Sequence, residues 1–533
     1  MKTLSKKTLA AYVGALLGGV AIAPTANAVH FATDGLGDAL TNYYTTWNGN
    51  ATLINYTNTS DQTIAMRVRL HEYRNSRSWD FTVILSPWDV WNATIADGGA
   101  LGPVIYTADQ SCTIPRISQD ASNPTIPAQQ GFLEAIDDGG PVSVDRLREG
   151  YVAAIAMGSK DYEPDTCAVE TARFINYGPD AYRDLLDGIK GGYPNYTNNA
   201  IKGVYNILNL PLGQNAAGGM DTLADFYDGK RVPAPSLASK LPPYPYGWAN
   251  LITLQMHPDD ISLQSGLTIE QRYLASFFLP TLASTNTNAY IVLADDLIGT
   301  TAAPVNRVGA QAVSYLYSHT NVINQWTALD GVADWDTATD LVVQSFVKQF
   351  FVDDDTSIYA GRYTFKPGVP PTNVLGNGVS TAPFSEYYTD GLSCDPVTWD
   401  VYDREENLDT KPIFFSPSKW GPKLCHEVNV VTFNGISALR SPNAYNIPTS
   451  FANGWIDLSL ISEANRFGPG QKSPITPADA SFYGLPVASI GFTTRVNQQG
   501  LNEAVQFPSA FKRNWAKETT GYVTTGYVET DEN

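Results

Sequence analysis

Residues 63–70 alternate with period two. Ile64, Met66, Val68 and Leu70 are apolar, and Thr63, Ala65, Arg67 and Arg69 stand between them. A helix would scatter these residues around its circumference, whereas a strand gathers the four apolar side chains on one face and leaves the other mostly polar. The pattern returns at Phe81, Val83 and Leu85, which Ser86-Pro87 ends. A one-faced sheet is stable only against a second layer. Short strands also read at 52–56, 103–106 and 151–157, with Asn58-Thr59-Ser60-Asp61 as a turn. The expected architecture of this half is an antiparallel β-sandwich with Greek-key-like connections.

Further along, a helix is expected at 180–187, and Gly191-Gly192-Tyr193-Pro194-Asn195 reads as a linker. Strand signals resume at 204–210, and then at 289–293, 311–317, 321–327, 341–352, 428–433, 455–460 and 488–494. Between them, residues 211–248 are rich in Gly and Pro. A capping box, Thr268 with Gln271, opens a helix over 268–278. Only a short helix is expected at 128–135. The chain as a whole is expected to be mainly β: two β-sandwich-like (immunoglobulin-like) domains with long loops and a few short helices. The first would span 29–190 and the second 191–533, with a loop and helix insertion at about 211–290.

Residues 1–28 read as a secretory signal peptide. Lys2, Lys6 and Lys7 precede an apolar run at 9–23, Pro24 breaks it, and Ala26-Asn27-Ala28 forms the cleavage site. No later stretch reaches the length of a spanning helix, so no membrane span is expected in the mature chain. The four cysteines, Cys112, Cys167, Cys394 and Cys425, are an even set in an exported chain and imply two disulfides. Three pairings are open. The sequential one is favoured because each pair then brackets a compact segment.

Thirty-four basic residues face 53 acidic ones, a net charge of -19. Losing the three signal-peptide lysines leaves 31 against 53, or -22. Such a charge argues against nucleic acid and against an anionic membrane surface as partners.

The segment from Arg67 to Arg77 (RVRLHEYRNSR) runs into Trp79-Asp-Phe-Thr-Val-Ile-Leu-Ser-Pro-Trp-Asp-Val-Trp91. With Ser111 to Pro115, Arg148 to Val152, Glu427 to Asn434 and Gly484 to Gly491, it resembles a family of exported proteobacterial cell-surface proteins with no established activity. The resemblance implies a surface location and an all-β fold. It carries over no catalytic residue.

Catalytic signatures are few. Gly391-Leu392-Ser393-Cys394 lacks the last glycine of G-x-S-x-G, and H-E-x-x-H is absent. Five histidines occur, of which His71 or His319 could serve a hydrolytic triad; the plainer reading places them on strand surfaces or in turns. Calcium is the most credible cofactor. Two acidic clusters, Asp330, Asp334 and Asp336, and Asp353, Asp354 and Asp355, flank strand-like runs where a loop could wrap a hard cation. The competing reading is solvated turn acids.

Tyr244, Tyr246 and Trp248 lie in Pro-rich sequence and could stack on sugar rings. The densest charge block, Arg67, Arg69, Glu72, Arg74, Arg77 and Asp80, reads as an ion-pair lattice that Arg148 and Glu149 join, or else as a binding edge. The expected function is a structural or adhesive component of the cell surface or extracellular matrix, self-associating and calcium-stabilised. Its partners would be itself, other surface proteins or glycans. The alternative is a secreted glycan-binding protein or hydrolase.

Overall fold

The computed structural model describes residues 30–133, 136, 138–161, 164–175, 199–224, 317–332, 335–345, 348, 384, 388–409, 422–460, 481–482, 484–497, 502–512 and 515–517. The signal peptide and the expected helices at 180–187 and 268–278 lie outside them. No helix among the described residues is long and apolar enough to cross a membrane.

The chain is mainly β. Its first thirteen strands are β1 (His30–Phe31), β2 (Leu36–Gly37), β3 (Ala39–Thr45), β4 (Asn50–Asn58), β5 (Thr63–Glu72), β6 (Ser78–Leu85), β7 (Val90–Asp97), β8 (Pro103–Tyr106), β9 (Cys112–Ile114), β10 (Glu149–Lys160), β11 (Ile201–Asn209), β12 (Gln214–Gly219) and β13 (Asp221–Ala224). They form two sheets, ordered β1-β13-β3-β10-β5-β6-β9 and β12-β11-β4-β7-β8, with β2 beside β11. The alternation at 63–70 does what its period demands: Ile64, Met66, Val68 and Leu70 are buried and join one core. Phe81 on β6 meets Trp91 on β7 at 5.6 Å between centroids, and Trp91 stacks on Tyr56. These rings close the space between the sheets.

The linker expected at 191–195 precedes β11 to β13, yet those strands complete the first pair of sheets. Ile201 to Asn209 pairs antiparallel with Asn58 to Asn50 along its whole length. The strand read at 204–210 therefore belongs with the first sandwich. Where a helix is read at 128–135, the structure has a 3-10 turn, Pro127–Gln130, and residues 134 and 135 lie outside the described residues. The helix that the sequence reading missed is Cys167–Ile175, which one disulfide ties to β9.

The second sandwich is built from β14 (Ser318–His319), β15 (Asn321–Thr327), β16 (Leu329–Val332), β17 (Trp335–Gln344), β18 (Asp395–Pro396), β19 (Thr398–Tyr402), β20 (Lys423–Leu424), β21 (Val428–Phe433), β22 (Tyr445–Ile447), β23 (Asn453–Ser459), β24 (Ser481–Phe482), β25 (Leu485–Pro486), β26 (Ala488–Asn497), β27 (Asn502–Pro508), β28 (Ala510–Lys512) and β29 (Trp515–Lys517). One sheet runs β19-β23-β15-β28 and the other β22-β21-β17-β26-β27. β21 and β22 pair in parallel. Trp326 of β15 stacks on Phe433 of β21 at 4.6 Å, so the two sheets face each other.

Both disulfides form in the sequential pairing, Cys112–Cys167 and Cys394–Cys425, across separations of 55 and 31 residues. Loops of that length give roughly 4 kcal/mol each in the chain-entropy account. Most of the buried apolar residues of both sandwiches belong to one continuous cluster.

Candidate functional site

Glu72 ends β5 with its carboxylate fully buried. The following turn folds back over it, so the backbone N–H groups of Arg74, Asn75 and Arg77 donate to its two oxygens at 2.7, 3.0 and 3.2 Å. Arg146 adds two more bonds, Nε to Oε2 at 2.8 Å and Nη2 to Oε1 at 3.0 Å. The same guanidinium reaches Asp138, which also accepts from Asn75 Nδ2 at 2.6 Å and from the Gly140 N–H at 2.9 Å. Burial pushes the Asp138 carboxyl up, but the hydrogen bond and charge of Arg146 outweigh it and hold the group below its usual value.

This turn also carries the first sandwich into the second. The backbone N–H groups of Glu427 and Val428 donate to the carbonyls of Arg74 and Tyr73 at 3.1 and 3.0 Å. Arg74 Nη2 donates to the Asp390 carbonyl at 2.9 Å, and the Tyr73 ring meets His426 edge-on.

A second row of contacts runs beside it. Glu149, at the start of β10, accepts from Tyr43 at 2.6 Å, from Ser441 at 2.8 Å and from Asn443 at 3.0 Å. Burial raises its carboxyl despite these bonds. Asn48 and Asn50 donate to the carbonyls of Arg440 and Leu439, each at 2.6 Å. Asp340 on β17 holds the same loop from the other side. It accepts from the Ser437 hydroxyl and the Leu439 N–H, and burial pushes it up to about 6. The joint between the sandwiches therefore carries a row of hydrogen bonds, buried at Glu149, Asn50 and Asp340 and exposed at Asn48 and Arg74, beside the apolar core that both sandwiches share.

Deeper in the second sandwich, Lys348 Nζ lies 2.5 Å from Asp395 Oδ2 and donates to the Ser393 carbonyl at 2.8 Å. The Phe384 ring covers the ammonium at 5.3 Å. Glu427 Oε1 accepts the Tyr388 hydroxyl, and burial drives the Glu427 carboxyl well above its usual range.

An open cleft of about 720 Å³ lies at one end of the second sandwich. Strand register builds one wall: Thr339, Thr493 and Val505 stand in one row across β17, β26 and β27. The two threonine hydroxyls bond at 2.9 Å, and Val505 is 55% exposed. On the opposite wall Gln325 and Trp455 sit side by side on β15 and β23, and Tyr402 stacks on Trp455 at 4.1 Å. Arg404 is at the rim, and the lining residues include no carboxylate.

Arg67 and Arg69 form the expected lattice by sharing Asp80, at 3.0 and 3.1 Å. Arg148 instead pairs with Asp97 and Asp145, and Glu149 takes hydroxyl and amide donors rather than a cation. The surface placement read for His71 and His319 is corrected, because both are buried. His71 stacks on Tyr151 at 4.4 Å, Nδ1 lies 2.9 Å from the Ser76 carbonyl, and burial lowers its pKa to about 3. His319 stacks on Phe511.

Asp336 is exposed on β17 and Asp330 lies in β16, whereas Asp334, Asp353, Asp354 and Asp355 fall outside the described residues. Among the described residues no group of three or more His, Cys, Asp or Glu side chains is placed to hold a metal ion. Tyr244, Tyr246 and Trp248 also lie outside them. The joint and the cleft escaped sequence reading, and Arg146 gave no signal in its neighbours. Trp455 lay in an expected strand, where the alternation Trp455, Asp457, Ser459 on one face was the available clue.

No protein-family model, curated protein or solved structure matches the chain.

Proposed function

We propose that this chain is an exported structural protein of the cell surface or extracellular matrix, in which the two sandwiches act as one mechanical body. The observation that carries this reading is the joint. Glu149 of one sandwich is gripped by Ser441 and Asn443 of the other, beside main-chain bonds that run from one to the other. Domains move relative to one another by default unless the interface between them is large and apolar, and here one buried apolar cluster draws on both sandwiches. Two disulfides support an oxidising location, and the segment resembling exported proteobacterial surface proteins, Arg67 to Arg77, forms part of the joint. Calcium-dependent self-association belongs to the same proposal.

The test is light scattering with negative-stain microscopy on residues 29–533, with and without millimolar calcium, beside fractionation of the cells that make the protein. Ordered assembly in calcium and recovery from the outer surface are expected. A calcium-indifferent monomer would remove self-association from the proposal, and a cytoplasmic pool would remove export.

The cleft favours a second reading, glycan binding. Trp455 backed by Tyr402 offers an aromatic platform, and Gln325, Thr327 and Thr493 supply amide and hydroxyl groups around it.

A further inference from the structure

A lysine ammonium and a carboxylate removed together from water cost more in lost hydration than their attraction returns, unless other groups complete their shells. Lys348 and Asp395 are each only 1% exposed, with Nζ and Oδ2 2.5 Å apart. Phe384 presents a ring to Nζ, and the ammonium donates a hydrogen bond to the Ser393 carbonyl. A second acid, Glu427, follows the same chain path: the Ser345 N–H donates to the Glu427 carbonyl at 2.6 Å, the Lys348 N–H donates to the Ser345 carbonyl at 2.8 Å, and the Cys394–Cys425 bridge joins the residue before Asp395 to the segment leading into Glu427. Glu427 is fully buried, Tyr388 holds its Oε1, and its Oε2 has no hydrogen-bond partner among the described residues.

We propose that Lys348 and Asp395 condense inside the folded chain to an Nζ–Cγ amide, an intramolecular isopeptide crosslink. A proton first passes from the ammonium to the carboxylate, leaving a neutral amine against a neutral acid. The nitrogen lone pair then attacks Cγ, the Cγ–OH bond breaks, and the hydroxyl departs with a proton from nitrogen as water. Nothing is oxidised or reduced. The proton relay is assigned to Glu427, which would take a proton from nitrogen and give one to the leaving oxygen. Burial pushes its carboxyl well above its usual value, toward the protonated form that this relay uses.

The amide removes two buried charges and ties residue 348 to β18, next to the Cys394–Cys425 bridge. Lys160 offers a contrast. It is equally buried and 2.9 Å from Glu170, but Glu170 Oε1 also accepts the Asp165 N–H, and the second acid near Lys160, Asp165, is 42% exposed. That pair is ordinary helix-to-strand anchoring.

The test is peptide mapping by mass spectrometry of the mature chain, reduced, alkylated and unfolded so that neither disulfides nor tight packing can mimic a crosslink. The expected species is a branched peptide joining the Lys348 and Asp395 segments, lighter than their sum by one water, about 18 Da. Recovery of the two segments as linear peptides in full yield overturns the proposal, with no variant needed. Lys348→Met should abolish the branched species. Glu427→Gln, which keeps the shape but removes the proton, should slow its appearance at least tenfold while Cys394–Cys425 still forms. Crosslinking at the wild-type rate would remove Glu427 from the reaction. The outcome does not depend on where the protein resides or what it binds.

Discussion

Glu149 Oε2 and the Ser441 hydroxyl meet at 2.8 Å although 292 residues separate them in sequence. One residue starts β10 of the first sandwich and the other sits in the loop after β21 of the second. The bond is one of three that complete a fully buried carboxyl group, so removing it leaves the other partner short of a donor. Ser441→Ala should cost about 1–3 kcal/mol of unfolding free energy. Denaturant unfolding followed by tryptophan fluorescence measures it. A change within about 0.5 kcal/mol, the usual range for surface substitutions, would show that the joint contributes little.

Arg146 stands between two buried carboxylates, Glu72 and Asp138. Truncating it leaves both unpaired, and breaking a buried pair from one side costs about 3–5 kcal/mol. Arg146→Met should therefore lower stability by that amount or prevent folding. Arg146→Lys should recover only part of the loss, because an ammonium cannot repeat the fork that bonds both acids and Asn75 Oδ1 at once. The comparison of the two variants by thermal unfolding separates charge from geometry, and full recovery by lysine would refute the geometric account.

The strand at 63–72 was readable because its period is local and its apolar residues pack within the first sandwich. Its arginines were not. They sit on the face that alternation assigns to solvent, yet Arg67 and Arg69 are buried. The disulfides were readable because each closes a compact loop. The expected boundary at 191–195 misled because Gly191-Gly192 reads in sequence as a linker, whereas β11, which follows it, pairs with β4 of the first sandwich. Glu149, Asp340 and Lys348 find their partners across the fold, and nothing in their sequence neighbourhood names Ser441, Ser437 or Asp395. The joint and the crosslink candidate are products of topology.

Asp340 gives a pH signature with a definite sign. Its folded pKa is raised to about 6, above the unfolded value near 3.8, chiefly by burial. Such a group contributes stability that is fully present below the unfolded value and lost as pH rises through the folded one. The wild type should lose about 2 kcal/mol from this group between pH 4 and pH 7. Asp340→Asn keeps an oxygen for the Leu439 N–H but cannot ionise. The difference in stability between wild type and this variant should therefore shift steadily in favour of the variant across that window. A difference that stays flat with pH would mean that Asp340 ionises in the folded chain as freely as in the unfolded one.

The cleft makes the glycan reading measurable. Trp455 is held flat by Tyr402 on one side and by its strand pairing with Gln325, so its orientation is fixed before any ligand arrives. A rigid aromatic platform contributes to ring stacking without a large ordering cost. Trp455→Ala should weaken binding of a neutral oligosaccharide by at least tenfold, equivalent to about 1.4 kcal/mol. It should leave the crosslink between Lys348 and Asp395 unaffected, because that pair lies away from the cleft lining. Isothermal titration of the mature chain against a panel of neutral oligosaccharides provides the measurement. Equal affinity in wild type and variant would place any bound sugar elsewhere on the molecule, and no binding by either would leave the cleft without its proposed ligand.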